Sequence, residues 1–384
     1  MERKDMKLGF IGFGNMAQAI AEGLLRSKAL EPEQICACAK DWDKLCAATQ
    51  PRGMRPCRDA REVAEAADVV IVAVKPHLIE EVLSPVRGQL ADKAVVSVAA
   101  GWPFERYEAL LPGTRHLSTM PNTPVRVCAG VFLLEEKHSL TPEEYVLVQE
   151  LFGHLGLVQP VESRLLGIAG TLSGCGPAFV AMMLEALADA AVKHGVPRAL
   201  AYELASQMTV GAATLQLKTG AHPGQLKDAV CSPGGSTIAG VRALEHGGFR
   251  AAAIEAVLGL NAAIDYLSAI GMEEIHAYEK MLHEYAIDKL SKLDNIILYN
   301  KHADGGIITF NVKDIFAQDS ATYFNTQGIA VRAGQHCAKL LLHRLGTGAT
   351  IRASFYFYNT IEEVDRFIEV CRSATIENCL NVFF

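Results

Sequence analysis

The feature that most constrains this chain is Gly12-Phe13-Gly14-Asn15-Met16-Ala17, set between an apolar run, Lys7 to Ile11, and a helical pattern, Ala17 to Ser27. A strand that feeds a glycine turn and then a helix is the context of a dinucleotide-binding fingerprint. The glycines permit the tight turn and let a pyrophosphate approach the helix N-terminus. The pattern then repeats. Gln34 to Ala39, Asp68 to Val74, Ala94 to Ala99 and Arg115 to Thr119 read as further strands, separated by helix or loop. Their nearly continuous apolar character is that of parallel strands buried on both faces. The expected fold is α/β, a Rossmann-type doubly wound domain over residues 1–160. Strand-like Val127 to Leu134, a helix from Thr141 to Phe152 and a strand from Leu157 to Gln159 complete it.

Two changes of texture follow. From Arg164 the residues are mostly Ala, Leu, Met and Gly, and β-branched runs vanish. Helices are expected over Pro177 to His194, Arg198 to Thr219, Pro223 to Val230, Ser236 to His246 and from Phe249 onward. An all-α domain this apolar on several faces, residues 161–271, calls for a second subunit. Beyond Gly271 a charged helix, Met272 to Lys292, precedes strands at Asn295 to Tyr299 and Gly306 to Phe310. A helix within Val312 to Asn325, strands at Gly328 to Arg332 and Thr350 to Tyr356, and a helix over Ile361 to Cys371 follow. This is a small α+β module, residues 272–384.

Composition excludes some classes. A net charge of −7 argues against a nucleic-acid partner. Met1 to Lys7 is charged and lacks the pattern of a signal peptide. No apolar run reaches the ~18 residues of a membrane span, so no membrane partner is expected. The ten cysteines form no framework, which fits free thiols in a reducing cytoplasm. Cys36 and Cys38 share one face of a strand but offer too few ligands for zinc, and no metal site is expected.

Ser232-Pro233-Gly234-Gly235-Ser236-Thr237 reads as a loop turning into a helix, with Ser232 as cap. Its free N–H groups suit a substrate carboxylate. Leu172-Ser173-Gly174-Cys175-Gly176-Pro177 is a second glycine-rich entry into a helix. Ala39-Lys40-Asp41 follows the second strand, where an acid favours ribose hydroxyls and a lysine favours a 2′-phosphate. Together these segments resemble the pyrroline-5-carboxylate reductases, enzymes that reduce a cyclic imine to proline. The resemblance covers about the first two-thirds of the chain. It implies that Gly12, Gly14, Asn15, Met16, Lys40, Val74, Lys75, Pro76, Ala99, Ala100 and Asn122 bind the cofactor, NADPH with NADH as the alternative. It implies a substrate site of Ser232, Gly235, Ser236, Thr237 and Cys175, where the family usually has serine in place of Cys175. Thr237 is then the catalytic hydroxyl near the ring nitrogen. The family assembles as dimers or rings of dimers. The similar β-hydroxyacid dehydrogenases carry a lysine early on the long helix, and Gly170 to Glu185 has none. Another cyclic imine remains an alternative substrate.

Gly328 to Ala338, with Cys337, and Ile351 to Thr360 resemble the active-site loop and following segment of SufS-type cysteine desulfurases. That fold is the C-terminal domain of fold-type I pyridoxal-phosphate enzymes. By this resemblance Cys337 is a persulfide nucleophile, and Arg332 and Arg352 hold a carboxylate. The Ser-Gly-His-Lys segment that carries the cofactor lysine is missing, so pyridoxal phosphate is not expected. A sulfur-relay or scaffold role for Cys337 is the alternative function.

Overall fold

The computed structural model describes residues 6–303, 305–336 and 338–383. Two compact units are formed by residues 1–265 and 266–384.

The first unit opens with β1 (Leu8–Ile11), α1 (Asn15–Arg26), β2 (Ile35–Cys38), α2 (Trp42–Thr49), β3 (Arg55–Pro56), α3 (Ala60–Ala66) and β4 (Val69–Val72). It continues with α4 (Ile79–Leu83), α5 (Arg87–Leu90), β5 (Ala94–Ser97), α6 (Phe104–Leu110), β6 (Arg115–Pro121), β7 (Gly130–Glu135), α7 (Pro142–Gly153) and β8 (Gly156–Val161). The strands form one eight-stranded sheet in the order β3-β2-β1-β4-β5-β6-β7-β8, antiparallel only between β6 and β7. Side chains alternate between two cores, as a period of two requires. Phe10, Ile71 and Val96 enter the core that holds Ile20 and Leu24 of α1, while Ile11, Val70, Val72 and Val95 enter the opposite one. Cys36 and Cys38 share that second core with Cys57. Burial pushes the Cys38 thiol up to about 11, so it is inert at neutral pH. The nine described cysteines are all free thiols.

Helices α8 (Ser163–Gly170) and α9 (Gly176–Lys193) are joined by a π-turn, Thr171–Cys175, into one helical stretch. The helix expected over Pro177 to His194 is found within one residue at each end, but no loop precedes it. The glycine-rich segment is a π-bulge inside a helix rather than an entry loop. Pro177 has no N–H, so the carbonyl of Ser173 lacks its helical donor, and the wider turn accommodates the ring. Next come α10 (Arg198–Thr219), ended by left-handed Gly220 (φ 64°), then α11 (Pro223–Ala229), α12 (Ser236–His246) and α13 (Phe249–Ile270). Alanines 188, 201 and 205 are buried, and their small side chains let α9 and α10 approach closely. Outward-facing Met182 and Leu217 are 70% and 76% exposed. The stretches Ser163–Lys193 and Phe249–Ile270 are long and apolar enough to cross a membrane. This corrects the expectation that no stretch reaches that length; the π-turn lengthens the first of the two, and the second is a single continuous helix. The same unpaired apolar surface is what a subunit interface requires.

The second unit contains α14 (Met272–Leu290), β9 (Ile296–Leu298), β10 (Ile307–Val312), α15 (Ala317–Thr326), β11 (Arg332–Gly334), α16 (Lys339–Arg344), β12 (Thr350–Ser354), α17 (Ile361–Ser373) and α18 (Ile376–Leu380). Its antiparallel sheet runs β11-β12-β10-β9. Phe310, Phe324 and Phe367 meet at ring-centroid separations of 5.6 to 5.9 Å in its core. Asn295 donates to the carbonyls of Cys371 and Ala374, which closes the end of α17. The strand expected over Gly328 to Arg332 begins at Arg332, because Ile329 and Val331 pack on the core without pairing.

His283 on α14 is buried, and neither ring nitrogen has a hydrogen-bond partner. Burial lowers its pKa below the usual 6.5, so the folded state holds it neutral. A depressed folded pKa contributes stability above the unfolded value, lost as pH falls through the folded one. Denaturation of the full chain at pH 7 and pH 5 is expected to show less acid destabilisation of this unit in His283→Leu than in the parent.

Candidate functional site

Gly12 stands at φ 91°, a left-handed value, and its N–H donates to the Cys38 carbonyl at 3.0 Å. A Cβ there would lie 2.8 Å from the backbone C and O of Ala73 and from Val74, so the turn closes directly on the end of β4. At Gly14 a Cβ would meet nothing within 4 Å. Gly14 is the N-cap of α1 in extended conformation, with no capping side chain and no acid in the first turn. The N–H groups of Asn15 and Met16 therefore face open space at the positive end of the helix. The cradle fits a dinucleotide pyrophosphate: closed below at Gly12 and open above Gly14.

The other predicted cofactor residues follow strand C-termini of the same sheet, where such folds bind ligands. Val74 is half-buried, Lys75 is exposed, and Pro76 begins a single 3₁₀ turn after β4. Lys40 is exposed after β2. Ala99 is buried and Ala100 exposed in the loop after β5. That loop is held by Ser97, whose Oγ accepts from Tyr107 Oη at 2.7 Å and from the Ala99 N–H at 3.1 Å. Burial raises the Tyr107 pKa, so it stays a neutral donor. Asn122 is buried at the end of β6. Its Oδ1 accepts from the Val131 N–H at 2.9 Å, and its Nδ2 donates at 2.9 Å to the Ser173 carbonyl freed by Pro177. One amide thus ties the loop after β6 to the π-turn that holds Cys175. Asn122→Ala leaves two polar backbone groups unpaired and is expected to cost about 2–3 kcal/mol. Chemical denaturation followed by cofactor titration checks this, with KM for the cofactor rising as well.

The substrate segment is differently placed from its expected form. Gly235, not Ser232, is the N-cap of α12, and no side chain caps the helix. Ser232 instead closes a turn by accepting the Gly235 N–H at 3.0 Å, with Gly234 left-handed at φ 69°. The N–H groups of Ser236 and Thr237 are thereby left free of a local side-chain acceptor. Thr237 and Ser236 are exposed in the single chain. Among the described residues no hydrogen bond joins residues 232–237 to the nucleotide loops.

Two features at the nucleotide end were not legible in sequence. Asp41 is spent as the cap of α2, accepting the Lys44 N–H at 3.1 Å and pairing with the Lys44 ammonium at 3.0 Å. Those contacts hold its carboxyl below the usual range. Arg58, in the loop after β3, lies over the Trp42 ring at 3.7 Å. The one signal for the second was a tryptophan two residues beyond Lys40, and β3 is too short to be read from sequence.

In the second unit Arg332 and Arg352 face each other across β11 and β12. Arg352 Nε is buried without a partner, and His336 Nε2 lies 3.0 Å from the Thr350 carbonyl. Cys337 lies outside the described residues. No cluster of metal-ligating side chains occurs among the described residues.

Comparison with known proteins matches successive segments of the chain to three family descriptions. Residues 7–101 match the family described as NADP oxidoreductase, coenzyme F420-dependent. Residues 163–265 match pyrroline-5-carboxylate reductase dimerisation, and residues 225–367 match aminotransferase class-V. The pyrroline-5-carboxylate reductase of Treponema pallidum is 43% identical over 257 residues, covering 66% of this chain and 97% of the relative. That of Escherichia coli is 43% identical over 255 residues, covering 66% and 95%. The Coxiella burnetii enzyme structure is 33% identical with a TM-score of 0.62, covering 68% of this chain and 98% of its own. An NADP-bound pyrroline carboxylate reductase from Plasmodium falciparum has the same TM-score at 28% identity, covering 68% and 97%. Through its first two-thirds, with a class-V aminotransferase-like module appended, the chain belongs to the pyrroline-5-carboxylate reductase family.

Proposed function

We propose that this chain reduces 1-pyrroline-5-carboxylate to L-proline, with NADPH as the preferred cofactor. The observation that carries the proposal is the glycine cradle at Gly12 and Gly14, on a chain that spans nearly the whole length of its reductase relatives. The reduced nicotinamide, when bound, supplies the hydride. Gly12, Gly14, Asn15 and Met16 hold the pyrophosphate, and Val74 to Pro76, Ala99, Ala100 and Asn122 position the nicotinamide half. The backbone from Gly235 to Thr237 takes the substrate carboxylate, with Ser232 shaping the turn and Cys175 filling the place of a small hydroxyl. A protonated imine is already an electrophile, so orientation matters more than a strong acid. The Thr237 hydroxyl governs the proton at the ring nitrogen. A homodimer, or a ring of dimers, covers the exposed apolar faces of α9 to α13 and encloses the substrate segment. The protein works in the cytoplasm on a small molecule, without nucleic acid or membrane. The C-terminal module binds no pyridoxal phosphate, because the chain has no lysine in the required setting.

The test is the oxidation of NADPH and NADH by the purified chain with pyrroline-5-carboxylate, alongside a chain ending at Asp265. Turnover by both supports the reductase and a dispensable module. Turnover by neither, with cofactor still bound, contradicts the reading.

A further inference from the structure

The cofactor preference depends on what meets the 2′ position of the adenosine ribose. In a dinucleotide bound at the β1–α1 turn, that position lies beyond the C-terminal end of the second strand. Here the Gly12 N–H bond to the Cys38 carbonyl fixes that end of β2 against the glycine turn. Two side chains define the place. Trp42 opens α2, and its indole is half-buried against the core. Arg58 comes from the next loop, anchored because Cys57 N–H donates to the Ala37 carbonyl at 2.7 Å. Its guanidinium carbon lies over the Trp42 ring, 3.7 Å from the centroid.

The neighbouring carboxylates have other work. Asp41 caps α2 and pairs with Lys44. Asp59 caps α3 by accepting the Glu62 N–H at 2.9 Å. Glu62 takes the Arg55 guanidinium at 2.6 Å and the Arg58 backbone N–H at 2.7 Å. Among the described residues, neither the Arg58 guanidinium nor the Lys40 ammonium forms an ion pair. An acid that would favour the ribose hydroxyls of NADH is thus occupied, while two cations beside it are not. Stacking on an indole leaves the N–H edges of a guanidinium free, in the planar fork that matches a phosphate.

We propose that Arg58, preorganised on Trp42, reads the 2′-phosphate of NADPH, with Lys40 as the second cation. This rests on the reading of the first unit as an NADPH-preferring reductase and names the residue that sets the preference. Because the fork is already ordered, little side-chain entropy is lost when the phosphate binds.

The test is calorimetric titration of the full chain with 2′,5′-ADP and with 5′-AMP, in the parent, Arg58→Ala and Arg58→Lys, followed by steady-state kinetics with both cofactors. The parent is expected to prefer 2′,5′-ADP by at least about tenfold, from charge-assisted hydrogen bonds. Arg58→Ala is expected to abolish most of that preference and to leave kcat/KM for NADH within about twofold, and Arg58→Lys to restore part as a point charge. If Arg58→Ala keeps the parental preference, the phosphate reader lies elsewhere while the NADPH reading stands. If it weakens both probes equally, Arg58 stacks on adenine and the proposal falls. If the parent itself does not distinguish the probes, the cofactor reading fails and the proposal with it.

Discussion

Gly12→Val is expected to lower kcat/KM for NADPH by about a hundredfold or more, a loss typical of reacting groups displaced by about 1 Å. The cause is geometric. Residue 12 sits at φ 91°, which a β-branched side chain adopts only under strain, and its Cβ would press on the Ala73 backbone at 2.8 Å. Backbone cannot swing aside as a flexible side chain does, so either β1 or the end of β4 must shift. The bond from Gly12 to Cys38, which fixes β2 beside the turn, is disturbed too. A stability loss of about 1–3 kcal/mol accompanies the strain. Gly14→Val separates fold from ligand: position 14 has an ordinary φ of −80° and an empty surrounding, so that variant folds normally. Its loss is confined to cofactor affinity, because the new side chain fills the open space above Gly14 that the proposal assigns to the pyrophosphate. Thermal denaturation and cofactor titration of both variants check the contrast.

The second large effect is expected at Thr237. Thr237→Val keeps the shape and removes the hydroxyl. The residue is exposed in the first turn of α12, so stability changes by no more than about 0.5 kcal/mol. If the hydroxyl manages the proton at the ring nitrogen, kcat falls by about a hundredfold, the lower range for a positioned proton donor. Cofactor affinity stays unchanged, and KM for the imine moves little, since the proposal assigns the carboxylate to backbone N–H groups. A kcat within about threefold of the parent would assign the proton to water instead.

Much of this was readable from the sequence because burial on both faces writes long apolar runs. Val69 to Val72 and Ala94 to Ser97 needed no further clue. The glycine turn was equally plain, since few side chains tolerate its geometry. The failures have local causes. Gly174, Gly176 and Pro177 look like a loop entering a helix, yet a π-turn over Thr171–Cys175 runs straight into Gly176 and Pro177 at the start of α9, and the freed Ser173 carbonyl goes to Asn122. Ser232 has the chemistry of a cap, but left-handed Gly234 moves the cap to Gly235. Ile329 to Val331 is apolar because it packs, not because it pairs. At Asp41 the sequence offered an acid and a lysine side by side. Only the capping bond to Lys44 shows that the acid is occupied. The stacking of Arg58 on Trp42 depends on a strand too short to be predicted.

The most direct test of the central claim follows the hydride itself. The full chain is incubated with pyrroline-5-carboxylate and NADPH carrying deuterium at the transferred position of the nicotinamide, and the product is examined by mass spectrometry and NMR. The expected result is L-proline with a single deuterium at C5, the former imine carbon, in step with NADPH consumed. Cofactor oxidised without labelled proline, or bound cofactor that is never oxidised, would contradict the assignment of this chain as an imine reductase.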